Sequence, residues 1–485
     1  MIDVEVVGAG PNGLAAAVTL ARAGLSVRLY ERMPGVGGGA RTTEATLPGF
    51  LHDTCSAVHP LAVASPFFRA FGLTRRIPFV TPEVSFAHPL PDALGGAGIA
   101  YRDLERTADE LGADGRAYRA LLEPLADRAR EVARFTGSPL VRVPPHPVVA
   151  ARFALRVLAQ GGALRSAGFS GRVAPAMLTG VAAHAIVRQP SLVGAAAGLA
   201  LHTHAHAAGW PIPVGGSQAI ADALASDLCA HGGEIVTDHE VRSLAELSAR
   251  AVVLDVTPRA LTRLAGDRMP GGYRRRLARF RYGAGAAKVQ FALSGPVPWR
   301  DPRVAQAGTV HLGGTREEIS AAENEVLAGR LPRHPYVLVS QPSTYDPSRV
   351  TSPEHPGAQT LWTYTHVPRG STADRTEAIV RTIEAEAPGF RDVLLASAST
   401  SAAELAEANP NYPGGDIAAG AATLGQLVAR PVLSLEPWRT PMRGVYLCGA
   451  STAPGPGVHG QSGWFAARSA LRHTFGIPHT PSLAP

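Results

Sequence analysis

Lysine is almost absent from this sequence: Lys288 is the one lysine among 46 basic Lys and Arg residues in a chain of 485. The three cysteines, Cys55, Cys229 and Cys448, lie far apart and form no Cys-x-x-Cys pair, so we predict neither a redox disulfide nor a metal site. No uninterrupted apolar run reaches about 18 residues, which argues against a transmembrane helix. An apolar strand begins at Val4 with no basic segment and apolar h-region before it, so we expect no signal peptide and a cytoplasmic protein.

Charge is also sparse, at 18% of residues, and the net charge of +7 is small for this length. We expect the excess to be spread along the chain. The densest basic cluster, around Arg274–Arg276, is interpreted as a solvated helix face, and nucleic-acid binding is therefore not expected.

One segment, Pro147–Ala159, raises the alternative of peripheral membrane contact. On a helix, Arg152 and Arg156 would share one side, and an apolar stripe would run along Val149, Phe153 and Val157. The other interpretation, which we favour, is a helix that packs on its own domain.

The richest motif is "VEVVGAGPNGLAAAVTLARAGLSVRLYE". A buried strand leads into three spaced glycines, a helix without breakers and a second strand that ends in an acid, 18 residues after the third glycine. The first glycine permits a tight turn, the second lets the backbone approach a pyrophosphate, and the third lets helix and strand pack closely. The helix N-terminus offers free N–H groups to the phosphates. The predicted dinucleotide contacts are Gly8, Gly10, Pro11, Asn12, Gly13 and Glu31.

A second glycine-rich loop, "RMPGVGGGART", follows at once. A loop with adjacent glycines beside the first βαβ unit can wrap the far side of a dinucleotide. Together the two loops indicate FAD rather than NAD, because FAD binds in an extended form and needs this additional clasp. The predicted contacts are Arg32, Gly37, Gly38, Gly39, Arg41 and Thr42.

The C-terminal "GVYLCGASTAPGPGVHGQSGWFAARSALRHTF" is a third signal: a strand, a Gly- and Pro-rich turn and a helix. Backbone N–H groups here can face the N1–C2=O edge of an isoalloxazine, where donors stabilise the reduced flavin. The predicted contacts are Gly449, Gly457, Val458 and His459, and Val241 completes the candidate set.

The remaining pattern predicts an α/β protein: a Rossmann-like FAD-binding domain and a second α+β substrate domain with an antiparallel sheet and helices. We expect the FAD-binding domain to comprise residues 1–100, 209–283 and 416–485. The substrate domain then has a helical part, 101–208, and a part with a mixed sheet, 284–415.

The chain resembles the flavin-dependent phytoene desaturase–amine oxidase superfamily, most closely its bacterial phytoene-dehydrogenase-like NAD(P)/FAD-dependent branch. The three motifs above carry the resemblance, together with "HDTCSAVHP", "GWPIPVGGSQAIADAL", "VVLDVTPRAL", "AGTVHLGGTREEI", "QPSTYDPSR" and "NPNYPGGDI". It implies a non-covalent FAD, a tunnel to the flavin and redox chemistry on an apolar, isoprenoid-like substrate. Only one G-x-G-x-x-G is present, so O2, a quinone and NAD(P) all stay open as electron acceptors.

Two residues are candidate catalytic groups. Lys288 lies in "RYGAGAAKVQF", which is similar to the amine-oxidase segment whose lysine holds a water near flavin N5; its alternative is a chance survivor at a strand start. A neutral His459 can donate toward the flavin or accept a substrate proton, and a loop-stabilising hydrogen bond is the equal alternative. The resemblance also places His52, Asp53 and His59 near the flavin, where buried polar pairing is as plausible as catalysis. Trp362, Tyr364 and Tyr412 are candidate lining residues or core.

The predicted function is therefore dehydrogenation or desaturation of a small apolar molecule by hydride transfer to flavin N5. An amine- or alcohol-type oxidase that uses O2 is one alternative. A flavin-bound scaffold without turnover is the other.

Overall fold

The computed structural model describes residues 2–485, and its strands form two principal sheets. The strands are β1 Val4–Val7, β2 Val27–Tyr30, β3 Thr42–Glu44, β4 Leu51–Asp53, β5 Phe79–Val80, β6 Val84–His88, β7 Gly98–Tyr101, β8 Ile212–Pro213, β9 Glu234–Val236, β10 Ala251–Leu254, β11 Gly285–Leu293, β12 Ala307–Leu312, β13 Val337–Ser340, β14 Gln359–Val367, β15 Leu394–Thr400 and β16 Val445–Leu447.

Helices cover these sheets and form a separate layer between residues 104 and 207. The helices are α1 Pro11–Ala21, α2 Pro60–Ala64, α3 Pro66–Phe71, α4 Leu73–Arg76, α5 Leu104–Glu110, α6 Gly115–Ala126, α7 Ala129–Thr136, α8 Pro147–Gly161, α9 Val173–Ala183, α10 Leu192–Ala207, α11 Gln218–Ala230, α12 Pro258–Ala265, α13 Gly271–Leu277, α14 Arg316–Leu327, α15 Thr376–Glu386, α16 Ala402–Ala408, α17 Leu424–Val428 and α18 Gln461–Ala470.

The first sheet is parallel, in the order β16-β10-β1-β2-β9 within the described residues. All four residues of β1 are buried, as expected for the central strand of a parallel sheet that is covered on both faces. Helices α1, α11 and α18 pack together on one face, where alanines on α1 let them approach closely. The carboxyl ends of β1, β10 and β16 therefore meet at one edge, which is where ligands bind in open α/β sheets.

The second sheet has the order β15-β11-β14-β13-β12-β6-β7 among residues 2–485. Its neighbours are antiparallel except β12 and β6, which run parallel, so the sheet is mixed. Strands β6 and β7 come from the first 101 residues, and that part of the chain thus contributes to both sheets. The α/β class with a Rossmann-like unit is confirmed, whereas the domain boundaries stay predictions.

Helix α8 lies in the helical layer with α6, α7 and α10. The stripe predicted from its sequence, Val149, Phe153 and Val157, packs inward with the core of that layer. Across residues 2–485, none of the helices combines the length and the apolar character that crossing a membrane requires.

Candidate functional site

A cavity of about 900 Å³ joins the carboxyl edge of the parallel sheet to the second sheet and the helical layer. One end is lined by the glycine-rich loop after β1, and the other by α8, α10 and the aromatic side chains of β14. Residues distant in sequence, from Val7 to Gln461, thus form a single wall. The three glycine-rich segments of the sequence meet here.

The first loop leaves no room for side chains at its glycines. Gly8 has a φ of +98°, in the left-handed region that glycine tolerates. A Cβ at Gly13 would lie 1.9 Å from the carbonyl oxygen of Gly8. The close approach of α1 to the turn after β1 therefore depends on glycine, which leaves the N-terminus of α1 beside the cavity.

Glu31 and the second loop complete this end of the cavity. The carboxylate of Glu31 accepts hydrogen bonds from the backbone N–H of Ala9, at 2.8 Å, and of Met33, at 3.0 Å. The N–H of Gly37 donates to the carbonyl of Ala9, at 2.8 Å, and a Cβ at Gly38 would lie 3.0 Å from the Cα of Gly10. The two glycine-rich loops thus pack directly on each other.

Asp255, just after β10, is a site residue that the motifs did not identify. Its Oδ2 accepts the N–H of Gly13 at 3.0 Å, and a Cβ at Gly10 would lie 2.7 Å from that oxygen. Burial raises the pKa of Asp255 to about 7, and the nearby charge of Glu31 also raises it. An acid at the carboxyl end of a parallel strand was the available signal, because ligands bind at that edge.

The C-terminal loop holds His459 with both ring nitrogens engaged. Nε2 pairs with the carbonyl of Gly455 at 3.0 Å, and Nδ1 accepts the N–H of Gln461 at 3.0 Å. Burial lowers its pKa to about 4, so the imidazole is neutral. His459 lines the cavity, but these bonds fit the loop-stabilising interpretation.

Lys288 is buried on β11 and does not line the cavity. Its Nζ donates to the carbonyls of Asp53, at 3.0 Å, and Thr54, and lies 5.0 Å from the ring centroid of Trp362. Burial lowers its pKa to about 8. Lys288 thus fixes the segment that leads into Cys55–Pro60, whose residues do line the cavity.

Asp53 belongs to a buried ionic network behind that wall. Its Oδ2 lies 2.9 Å from Nη1 of the fully buried Arg349, whose Nε pairs with Asp346 at 2.9 Å. The other oxygen of Asp53 accepts the N–H of Ser217, and the Ser217 hydroxyl pairs with Nε2 of His59 at 2.7 Å. Asp53 is a structural anchor in this geometry, and His59 reaches the cavity.

His52 lies on β4 next to this network and does not line the cavity. Its Nε2 pairs with the hydroxyl of Thr46 at 2.8 Å. Burial, and next the charge of Lys288, lower its pKa to about 4. A buried polar pairing therefore describes His52 well.

The far end of the cavity is an apolar chamber. Trp362 and Tyr364 meet at 84° with centroids 5.2 Å apart, and small and aliphatic residues of α8 and α10 face them. His184 also lines the chamber, with its Nε2 2.9 Å from Nε2 of His311. Among the cavity-lining residues described, the carboxylates are Glu31, Glu240 and Asp255, all at the nucleotide end.

The structure brings most predicted residues to this one wall. The candidates that line it are Gly8, Gly10, Pro11, Asn12, Glu31, Arg32, Gly38, Gly39, Arg41, Val241, Gly449, Gly457, Val458, His459, Trp362, Tyr364 and Tyr412. Gly13, Gly37 and Thr42 support the loops from behind. Sequence reasoning missed His184 and the buried Arg430, whose guanidinium donates to the carbonyls of Ala418 and Ala450.

These residues fit FAD. The cradle at Gly8, Gly10 and Gly13 would be filled by any Cβ, and it opens at a helix N-terminus that suits a pyrophosphate. Glu31 stands at the end of β2, where such units bind a ribose hydroxyl. Beyond this cradle, the same cavity continues from the carboxyl end of β1 to β14.

Comparison with known proteins agrees with this geometry. Residues 6–71 match the NAD(P)-binding Rossmann-like domain family. The chain is 30% identical to the uncharacterized protein Rv0897c of Mycobacterium tuberculosis, over 79% of this chain and 77% of that protein.

Two further proteins are similar over almost the whole chain. Pyridine nucleotide-disulfide oxidoreductase domain-containing protein 2 of Rattus norvegicus is 26% identical, over 97% of this chain and 93% of the relative. A structure of putrescine oxidase bound to putrescine superposes with a TM-score of 0.59 at 17% identity, over 97% of this chain and 98% of the other. The latter likeness is one of fold.

Proposed function

This chain belongs to one family with the uncharacterized mycobacterial protein, and on that premise we propose that it is an FAD-dependent oxidoreductase that dehydrogenates an apolar small molecule. One observation carries the proposal: a single cavity joins a dinucleotide cradle to a chamber walled by apolar and aromatic side chains. A phytoene-dehydrogenase-like activity on an isoprenoid or polyene is the form that we favour.

When bound, FAD supplies a two-electron acceptor at its isoalloxazine ring. The glycine-rich loops would hold its phosphates, Glu31 its ribose, and the loop at Gly457–His459 the ring edge. Trp362 and Tyr364, with α8 and α10, would exclude water and orient the substrate by contact.

Forming a C=C bond removes a hydride from one carbon and a proton from its neighbour. His184 is the proton acceptor that we propose, because it lines the chamber and its Nε2 is hydrogen-bonded to His311. Burial lowers the pKa of His184 to about 3, so the ring is neutral before the reaction. In the tautomer whose Nε2 donates to His311, Nδ1 carries the lone pair that takes the proton. Because the low pKa disfavours the protonated ring, the proton is then released to water. Lys288 is proposed as a positioning residue, since it contacts the backbone before the cavity wall and not the cavity itself.

An amine oxidase is the second candidate, and the similarity in fold to putrescine oxidase favours it. A substrate ammonium normally requires a carboxylate or aromatic cage when it leaves water. Trp362 and Tyr364 provide aromatic faces, but the carboxylates that line the described cavity lie at its nucleotide end. This distribution of charge favours an uncharged substrate.

The test is anaerobic reduction of the FAD-loaded protein with two panels, apolar isoprenoids and primary amines or alcohols. We expect bleaching of the flavin near roughly 450 nm with isoprenoids, together with product absorbance that shifts to longer wavelength as conjugation grows. Bleaching by amines or alcohols alone, followed by rapid reoxidation in air, would favour the oxidase. FAD binding without reduction by either panel would favour the scaffold. The rate of reoxidation by O2, a quinone or NAD(P)+ then identifies the acceptor.

A further inference from the structure

The mouth of the cavity is built from leucines that face water. Leu158 on α8 and Leu424 on α17 are each 56% exposed and also line the cavity, as does the exposed Leu140. A soluble protein gains nothing from leucines at an open mouth, because each leaves apolar area in contact with water. The apolar chamber is therefore continuous with an apolar outer surface.

That surface extends beyond the mouth. Val143 is 91% exposed, and Val148 and Leu155 on the outer face of α8 are more than half exposed. The guanidinium of Arg142 donates to the carbonyl of the exposed Leu435 at 2.6 Å, which joins this face to the loop after α17. We call the surface formed by Leu140, Val143, Val148, Leu155, Leu158 and Leu424 the apolar rim.

The stripe that the sequence suggested for membrane contact is not part of the rim. Val149, Phe153 and Val157 pack inward, and Val148, Leu155 and Leu158 occupy the opposite, outer face of the same helix. Helix α8 thus has apolar side chains on both faces, as expected for a helix with protein on one side and a nonaqueous phase on the other.

A strongly basic stretch of the chain adjoins the rim. Residues 128–172 contain eight arginines and one glutamate, a net charge of +7 that equals the net charge of the whole chain. The excess is therefore not spread along the sequence as composition suggested. Arg152 lies on the outer face of α8, Arg142 lies beside Val143, and α7 with Arg130 and Arg134 packs against α8.

We propose that the apolar rim is a docking surface for an anionic lipid bilayer. Leucine and valine side chains would enter the acyl region of one leaflet, and the surrounding arginines would contact lipid phosphates. A second copy of this chain is a poor occupant, because the same face would bring the arginines beside the rim against those of the other copy. A bilayer supplies both the apolar phase and the negative charge.

Docking would place the cavity mouth against the membrane. An apolar substrate could then pass from the bilayer to Trp362 and Tyr364 without crossing water; this last step rests on the proposed function, whereas the docking surface does not.

The test is vesicle flotation of the full-length, FAD-loaded protein with phosphatidylcholine vesicles, with or without phosphatidylglycerol. We expect binding to the anionic vesicles that weakens at high salt, because charge attraction to a surface is screened. The variant Val148→Gln/Leu155→Gln should bind about a hundredfold more weakly, since each buried aliphatic side chain contributes about a factor of ten or more. The variant Arg152→Gln should bind the anionic vesicles about fivefold more weakly.

Two matched controls keep the test specific. Leu331→Gln/Leu395→Gln changes exposed leucines elsewhere, and Arg275→Gln/Arg276→Gln changes an exposed basic run elsewhere. Both should bind vesicles as the wild type does, with unchanged flavin absorbance. These variants leave the cavity wall intact, so flavin content reports folding.

The proposal is overturned if the wild type stays with the soluble fraction, or if the rim and control variants bind equally. It is also overturned if the rim variant instead converts a wild-type dimer to a monomer in light scattering. Vesicle binding by a wild-type protein that takes up no added FAD would support the docking surface while contradicting the proposed function, so the two failures are distinguishable.

Discussion

The carboxyl group of Asp255 allows the sharpest prediction about the nucleotide end of the site. Its pKa rises from an ordinary 3.8 to about 7, mainly by burial. In the unfolded chain this acid ionises near pH 4, whereas the folded protein keeps the proton until about pH 7. The folded state thus binds more protons between these values, and its stability falls as pH rises through them.

The magnitude follows from the size of that pKa difference. At 1.36 kcal/mol for each pKa unit, the ionised carboxyl costs the folded state about 4 kcal/mol at pH 8.5, as an upper bound. Asp255→Asn removes the ionisation and keeps an oxygen that can accept the N–H of Gly13. We expect the variant to be more stable than the wild type at pH 8.5, and the difference to shrink steadily until the two are similar near pH 4, where the unfolded carboxyl also holds its proton.

The assay is urea unfolding of FAD-depleted protein from pH 4 to pH 9. A control is Asp227→Asn, because pairing with Arg22 and Arg76 lowers the pKa of Asp227 despite burial, and its loss should destabilise the protein at neutral pH. Asp255→Asn should also bind FAD more tightly at pH 8.5, since it removes a negative charge beside the phosphate cradle. If the free energy of unfolding changes with pH equally in the wild type and in Asp255→Asn, this reasoning is refuted.

Three further substitutions probe the loops, the network and the lysine. Gly13→Ala should abolish FAD binding, because its Cβ would lie 1.9 Å from a carbonyl oxygen, whereas Gly35→Ala, with open space around it, should bind FAD normally in a fluorescence titration. Arg349→Met should lower the free energy of unfolding by about 3–5 kcal/mol, because it leaves two buried carboxylates unpaired; an unchanged melting temperature would contradict this. Lys288→Met should retain the flavin spectrum but lower kcat and remove any change of kcat near pH 8, which follows from its pKa of about 8; an unaltered pH profile would argue against a positioning role.

The nucleotide end was predictable because its signals are local in sequence. A strand, three spaced glycines and an acid in this order are compatible with few other folds. The structure places them as one βαβ unit with parallel β1 and β2. Helix α11 was equally predictable, because Ile220, Leu224 and Leu228 repeat at helical spacing. All three side chains are buried.

The parts that could not be predicted depend on distant pairings. Strands β6 and β7 lie within the first 101 residues but join the second sheet, because β6 pairs with β12, more than two hundred residues away. The apolar rim could not be predicted from the sequence for a related reason. Sequence periodicity showed one stripe on α8, and only the packing of α6, α7 and α10 determines which side of the helix faces water.

His184 illustrates the limit at the site itself. Nothing adjacent to it in sequence suggests a function, and its position on the chamber wall arises from the contact with His311 across the interface of two layers. Lys288 shows the converse, since its rarity attracted attention, yet its ammonium faces backbone carbonyls and not the cavity.

The visible spectrum of the purified protein tests the central claim most directly. We expect flavin peaks near roughly 375 and 450 nm, release of FAD on heating, and bleaching on anaerobic reduction, since these are properties of the isoalloxazine itself. A colourless protein that takes up no added FAD would contradict the claim that the glycine-rich cradle and the cavity behind it form a flavin site.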